Sequence, residues 1–336
     1  MNSCERFERL LAGEAGDRLL VMPIVMIWAA QRFGESYEDY VKDYQVLGRC
    51  QLGVLEDFGF DVVQLISDPY RETADVGAEL QYYVDGPPRC LRPPLCDKAD
   101  FAGLSLPDPL GGGRMTDRVQ GGQFLKEQVG GEVPVMGWVE GPIAEAVDLR
   151  GMQDLMLDLI DDRPFVEDLL DWVLELETSF AVAQIEAGCD LIGIGDAAAS
   201  LISSRVYEEL VLPREQKLVR AIHEAGAVAR LHICGNTTHL LGLMPQTGCE
   251  VIDLDYLVPI EQARPAMGPK PIILGNFDPV SELLKATPDQ VLASCRRCHE
   301  ACGDRHIVGS GCEVPPGTAE EALRAMVQSA YGQQLP

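Results

Sequence analysis

The residues with the clearest chemical potential lie in LHICGN, at 231–236. An apolar, strand-like run ends there in a histidine and a cysteine two positions apart, and a glycine stops it. On a strand, residues i and i+2 point to the same side, so His232 and Cys234 can reach one ion. GSGC places Cys312 at the end of another apolar run, behind glycines that let the backbone come close. A Cys2His set of this kind suits zinc, with a fourth position left for water or substrate. Two thiolates cancel the ion's charge. The ion then lowers the pKa of a substrate thiol from its free value of about 8.5. The competing reading is two buried cysteines and a satisfied core histidine, and the spacing alone leaves both open.

Something must hold these side chains together. Eight short apolar runs fit strands, at 19–26, 61–67, 133–139, 190–195, 227–233, 250–255, 271–276 and 306–311. Helical patterns separate most of them, at 37–59, 152–188, 205–226 and 287–303, and a closing helix follows at 318–332. A β/α alternation implies parallel strands with helical crossovers. Eight such units predict an α/β (β/α)8 TIM barrel, read here as one domain over residues 1–336. The rhythm breaks after the second strand. QYYVDGPPRCLRPP, at 81–94, predicts a hairpin around Asp85-Gly86, an excursion from the barrel.

Barrel chemistry gathers at the C-terminal ends of strands. The residues expected there are Asp68, Glu140, Asp196, His232 with Cys234, Asp253 with Asp255, Asn276 with Asp278, and Cys312. Glu140, Asp196 and Asp255 are the acid–base candidates, and Glu140 and Asp255 are also candidates for a fourth metal ligand. Asn276 and Asp278 are substrate-binding candidates.

Other motifs carry less. CRRCH, at 295–299, matches the pattern for covalent haem attachment, with Cys302 and His306 nearby. Its setting on an amphipathic helix favours a partly exposed helix that happens to carry thiols. DLIGIGDAAAS has closely spaced glycines without the dinucleotide-binding pattern, and no P-loop or serine elbow is present.

The chain has 336 residues, 46% hydrophobic and 24% charged, with a net charge of −26. Such a charge argues against nucleic acid and anionic membranes as partners. No run reaches the roughly 18 apolar residues of a membrane span. The start lacks a basic segment followed by an apolar one, and the 11 cysteines are scattered along a long chain. The expectation is a cytoplasmic protein with reduced thiols.

Beyond these features, LHICGNTTHLL, GNFDPVSELLKATPDQV and VGSGCEVPPGTAEEALRAMV resemble the uroporphyrinogen decarboxylase superfamily. They are most similar to its corrinoid-dependent methyltransferase branch. GWVEGPIAEAVDLRG and DAAASLISSRVYEELVLP resemble two further segments of that family, and the resemblance runs from DRLLVMPI onward. It implies a (β/α)8 barrel in which His232, Cys234 and Cys312 bind Zn2+. It also implies that the zinc activates an acceptor thiol, such as coenzyme M. That thiol takes a methyl group from a methylcobamide carried on a separate corrinoid protein, leaving Co(I). The decarboxylase branch carries an arginine-rich N-terminal signature that grips porphyrin carboxylates. Here VMPIVMIWAAQRFGESYEDY offers only Arg32. The chain also departs from the methyltransferase pattern. Glu145 stands where a hydroxyl residue is usual, and Phe277 where leucine or isoleucine is common. These departures leave a pterin such as tetrahydrofolate beside the thiol as acceptor, and they make Glu145 a further substrate-binding candidate. The alternatives are a metal-free decarboxylase of a cyclic tetrapyrrole and a non-catalytic partner that binds a corrinoid protein.

Overall fold

Alternation of side chains along each strand divides this protein into an inner and an outer apolar layer. The structure is a computed structural model that describes residues 1–331. Eight strands form one parallel sheet: β1 (Leu20–Val21), β2 (Val63–Gln64), β5 (Val135–Glu140), β6 (Leu191–Gly195), β7 (Val228–Ile233), β8 (Val251–Leu254), β9 (Ile272–Leu274) and β10 (His306–Val308). Their spatial order is β1-β10-β9-β8-β7-β6-β5-β2. The outermost strands meet without a regular ladder. Asp61 N–H donates to the Val21 carbonyl (2.8 Å), and Gln64 Nε2 donates to the Pro23 carbonyl (2.9 Å). The buried Asp61 carboxylate also accepts from Val21 N–H and from Arg18, which pins this seam.

Seven of the eight strands fall inside the apolar runs expected from sequence, and β5 runs one residue past its own, to Glu140. Inward-facing Leu20, Met136, Trp138, Leu191, Val251, Ile272 and Ile307 form the inner core, which Phe7 of the N-terminal helix Ser3–Leu11 closes from one end. Outward-facing Val21, Val63, Val135, Ile192 and Ile194 join the larger layer between strands and helices. The close glycines of LIGIG have a packing cause: a Cβ on Gly193 would lie 2.1 Å from the Trp138 ring, which lies across β6.

Some helical patterns are interrupted. The 152–188 pattern splits into Met152–Asp161 and Arg163–Glu186. Pro164 lacks an N–H and disfavours helix before it, so a new helix starts there. The 37–59 pattern breaks at Asp43, whose Oδ1 accepts from Gln45 N–H (2.8 Å) and caps the second piece, Tyr44–Phe58. The excursion is an antiparallel hairpin of β3 (Glu79–Gln81) and β4 (Arg89–Arg92), starting two residues earlier than expected. The CRRCH segment lies on the helix Pro288–Cys302. The helix is amphipathic and partly exposed, as expected, and its thiols Cys295, Cys298 and Cys302 are all buried. Their spacing of three and four puts them on one helix face, and that face is the core side. The closing helix spans Glu320–Tyr331, and Gly332 of the expected helix lies outside the described residues.

Candidate metal centre

Strand β7 carries the site on its inward face. From the middle of the barrel toward its C-terminal mouth, that face presents Arg230, His232 and Cys234. The last strand supplies the third donor. Beyond β10, Ser310 pairs with Phe277 in a parallel bridge, and Gly311 N–H donates to the Phe277 carbonyl (2.9 Å). A Cβ on Gly311 would sit 2.3 Å from the Tyr256 backbone nitrogen, so only glycine fits this close approach. Ser310 Oγ then donates to the Cys312 carbonyl (2.7 Å) and fixes the turn.

One ligand atom each from His232, Cys234 and Cys312 lies within 4.8 Å of the other two. His232 Nε2 is 3.0 Å from Cys234 Sγ. A tetrahedral zinc with bonds of about 2.0–2.3 Å needs donor separations of about 3.6–3.8 Å. A shift of about 0.6–0.8 Å, within the freedom of a cysteine rotamer, opens the His232–Cys234 pair to that distance. The donor set and its spread therefore fit zinc. The other side of the imidazole is fixed too. His232 Nδ1 lies 2.9 Å from Asp253 Oδ2, and the same oxygen accepts from Arg230 Nη2 (2.6 Å). A carboxylate oxygen this close to Nδ1 favours the proton on that nitrogen and leaves the Nε2 lone pair for a metal.

Electrostatics agree with this arrangement. Burial disfavours a charged His232, but Cys234 and then Asp253 outweigh it and raise its pKa well above the ordinary value. A hydrogen bond from Cys234, working against burial and joined by His232, lowers Cys312 to about 4. Cys234, the donor in that bond, is raised instead. The three side chains hold a thiolate beside an imidazolium, and an entering cation displaces the remaining protons.

All three donors line a cavity of about 200 Å³ at the barrel mouth. Its walls are mainly apolar, from Ile24, Met26, Ile66, Pro69 and Trp138. Asp68, Glu140 and Glu313 supply the carboxyl groups of its lining, which contains no lysine or arginine. Glu140, at the end of β5, is bonded through Oε1 to the buried Arg71 (2.7 Å).

The remaining sequence candidates lie apart from this cavity. Asp196 is fully buried, with Oδ1 accepting from Ala144 N–H (2.7 Å). Glu145 is fully buried and accepts from the Thr73 hydroxyl (2.8 Å). Asp255 accepts from Leu257 N–H (2.8 Å) in the loop after β8. Asn276 donates to the Asp255 and Val258 carbonyls (2.8 and 2.7 Å), tying two loops together. Asp278 accepts from Val280 N–H and Ser281 Oγ in a turn. Among the described residues, no carboxylate oxygen joins the three-donor cluster; Glu140 lines the same cavity as the donors, and Asp255 does not. Arg32 lies on the outer helix Ile27–Arg32, paired with Asp57 and Glu320, away from the cavity. Asp253, Arg230, Arg71 and Glu313 were not assigned roles from sequence. The register that sets His232 beside Asp253 was the missing signal for the first of them.

Fold and site together define a parallel (β/α)8 barrel with a histidine and two cysteines converging at its C-terminal mouth. The chain belongs to the uroporphyrinogen decarboxylase (URO-D) family, whose profile it matches over residues 2–332. It is 34% identical over 220 residues to the methylcobamide:CoM methyltransferase MtbA of Methanosarcina mazei. That match spans 65% of this chain and 64% of the relative, less than two thirds of either. It is 25% identical over 332 residues to the uroporphyrinogen decarboxylase of Streptomyces avermitilis, spanning 93% of this chain and 91% of that one. Among solved structures, a methyltransferase from Methanosarcina mazei superposes with a TM-score of 0.90 over 98% of both chains at 24% identity, which supports the fold.

Proposed function

We propose that this protein is a zinc-dependent methyltransferase that moves a methyl group from a methylated corrinoid, carried on a separate protein, to a small thiol. The observation that carries this reading is the convergence of His232, Cys234 and Cys312 on one point of the cavity wall. Three protein donors facing a cavity are the pattern of a catalytic zinc site with room for a substrate ligand. The similarity to a relative named as a methylcobamide:CoM methyltransferase supports the same reaction class. Zinc held there supplies stabilisation of a substrate thiolate at neutral pH. The protein's own groups do the rest. Asp253 and Arg230 fix the imidazole, the apolar walls exclude water, and Glu140 stands ready to exchange a proton at the carboxyl oxygen that Arg71 leaves free. The substrate sulfur forms a bond to the methyl carbon while the cobalt–carbon bond breaks and its electron pair stays on cobalt.

The lining weighs against a porphyrinogen polycarboxylate, which meets no arginine or lysine there. A Cys2His zinc is suited to a sulfur ligand.

Metal analysis of the purified protein tests the reading, together with methyl transfer from methylcobalamin to added thiols. One zinc per chain is expected, lost in His232→Ala, Cys234→Ser and Cys312→Ser along with transfer. A folded, metal-free protein that transfers methyl groups at the full rate would overturn it.

A further inference from the structure

The cavity combines a thiolate-activating donor set with walls that offer an anion nothing. Its charged or chargeable lining groups, apart from the three metal donors, are Asp68, Glu140 and Glu313, all acids. The two arginines behind them are already committed. Arg71 is fully buried and pairs with Glu140 (2.7 Å) and Glu72 (3.5 Å). Arg114 pairs with Asp68 (2.7 Å), and neither arginine lines the cavity. Glu313 is tied by Oε1 to Ile27 N–H (2.8 Å), which leaves its carboxyl beside Cys312.

We infer that the sulfur substrate of this cavity has an uncharged or cationic body, and that thiols bearing an anionic group are discriminated against. The inference rests on the thiol-methylating reading above and narrows its substrate class. It also departs from the sulfonate-bearing coenzyme M named for the relative. A buried anion needs a counter-charge or a set of hydrogen-bond donors, and apart from the metal donors this lining supplies no cationic side chain. Asp68, held ionised against burial by Arg114 and Arg71, already places a negative charge in this lining. Burial, opposed by Arg71 and reinforced by Glu72 and Asp68, pushes Glu140 up to about 8. A further anion beside them adds like-charge repulsion in an environment where it is poorly screened. Apolar carbon against Ile24, Ile66 and Trp138 gains from burial, and an ammonium group gains from the acids.

The test uses the full chain with Co2+ in place of zinc, because sulfur-to-cobalt absorption reports thiolate binding without any turnover. Three thiols with the same two-carbon spacer are titrated: 2-mercaptoethanesulfonate, its uncharged isostere 2-(methylsulfonyl)ethanethiol, and 2-aminoethanethiol. Each constant is corrected for the acidity of the free thiol. The sulfone and the amine are expected to bind at least tenfold more tightly than the sulfonate. Glu140→Gln, which removes a carboxyl and frees Arg71 of one partner, is expected to shrink that ratio, and Glu313→Gln to do the same. The wild-type ratio stands by itself if either variant folds poorly. Sulfonate binding equal to or tighter than the sulfone would overturn the inference and leave the thiol reading intact. If no thiol perturbs the spectrum of the cobalt-loaded protein, the thiol reading falls and the inference with it.

Discussion

Asp253→Asn isolates the part of the centre that touches neither metal nor substrate. Asp253 Oδ2 faces both His232 Nδ1 (2.9 Å) and Arg230 Nη2 (2.6 Å), and all three side chains are buried. Asparagine keeps the shape and removes the charge. Its amide can accept from one neighbour while presenting N–H to the other, so the Nδ1 proton is no longer held and the Nε2 lone pair is no longer assured. Loss of such a partner typically costs 10–100-fold in metal affinity, or about 1.4–2.8 kcal/mol. The same change leaves Arg230 buried without a counter-charge, which costs about 3–5 kcal/mol of stability.

The two effects can be separated. Arg230→Met removes the guanidinium but leaves Asp253 facing His232, so it should cost stability while keeping zinc affinity within about threefold of wild type, under half the effect of losing the Nδ1 partner. Zinc affinity is read by competition with a chromophoric chelator at fixed pH, and folding is followed by circular dichroism on the same samples. A folded Asp253→Asn protein that binds zinc within twofold of wild type would refute the argument that the carboxylate orients the imidazole.

Three further outcomes follow from the same geometry. Gly193→Ala drives a Cβ to 2.1 Å from the Trp138 ring; overpacking of this kind should cost about 1–3 kcal/mol and shift tryptophan fluorescence, measured through urea unfolding. Asn276→Ala removes two bonds between loops; it should cost about 1–3 kcal/mol and leave the constants for small thiols on the metal-loaded protein unchanged. Thermal stability of the metal-free protein should fall as pH rises through the neutral range. Burial raises Glu140 to about 8 from an ordinary 4.5 and Glu215 to about 7, and it raises Glu145 and Glu177 as well. A carboxyl with a raised folded pKa gives stability that is fully present below its unfolded value and lost as pH rises through the folded one. The window therefore runs from about pH 4.5 to 8 for Glu140. Glu177→Gln, uncharged at every pH, should flatten the curve, and a melting temperature that rises steadily from pH 5 to 9 would contradict the account.

The barrel was legible because parallel strands buried on both faces read as apolar runs, and their number and spacing survive without any knowledge of register. The donor triad was legible for a related reason. His232 and Cys234 share parity on one strand, and Cys312 closes the equivalent run 78 residues after Cys234, so strand ends alone bring them to one mouth. Asp253 was visible as a strand-end acid, but its partner was not, because pairing His232 with Asp253 depends on the register of β7 against β8. Asp196 follows β6 and Glu145 lies on the helix Pro142–Arg150 after β5, and both turn outward into the strand–helix layer, where Ala144 N–H and the Thr73 hydroxyl take them up. Asn276 and Asp278 serve the loops themselves, as strand-end polar residues often do, because exposed carbonyls and amides at a turn need partners.

The inner face of β7 shows why the chemistry lies at one level of the barrel. Arg230, His232 and Cys234 rise along it in steps of two, each more accessible than the one before: Arg230 is 1% exposed, His232 4%, and Cys234 is half-buried. The lowest needs a full counter-charge, which β8 supplies as Asp253. The middle one shares that carboxylate and passes its orientation upward to Nε2. The highest meets the cavity with a polarisable sulfur. A charge deep in the barrel thus serves the metal donors above it through one shared oxygen. Moving the set down one strand step would place the sulfurs where the inner core is packed by Met136, Leu191 and Val251 and no substrate could enter. Moving it up one step would place the imidazole in the loop, beyond the carboxylate that fixes it.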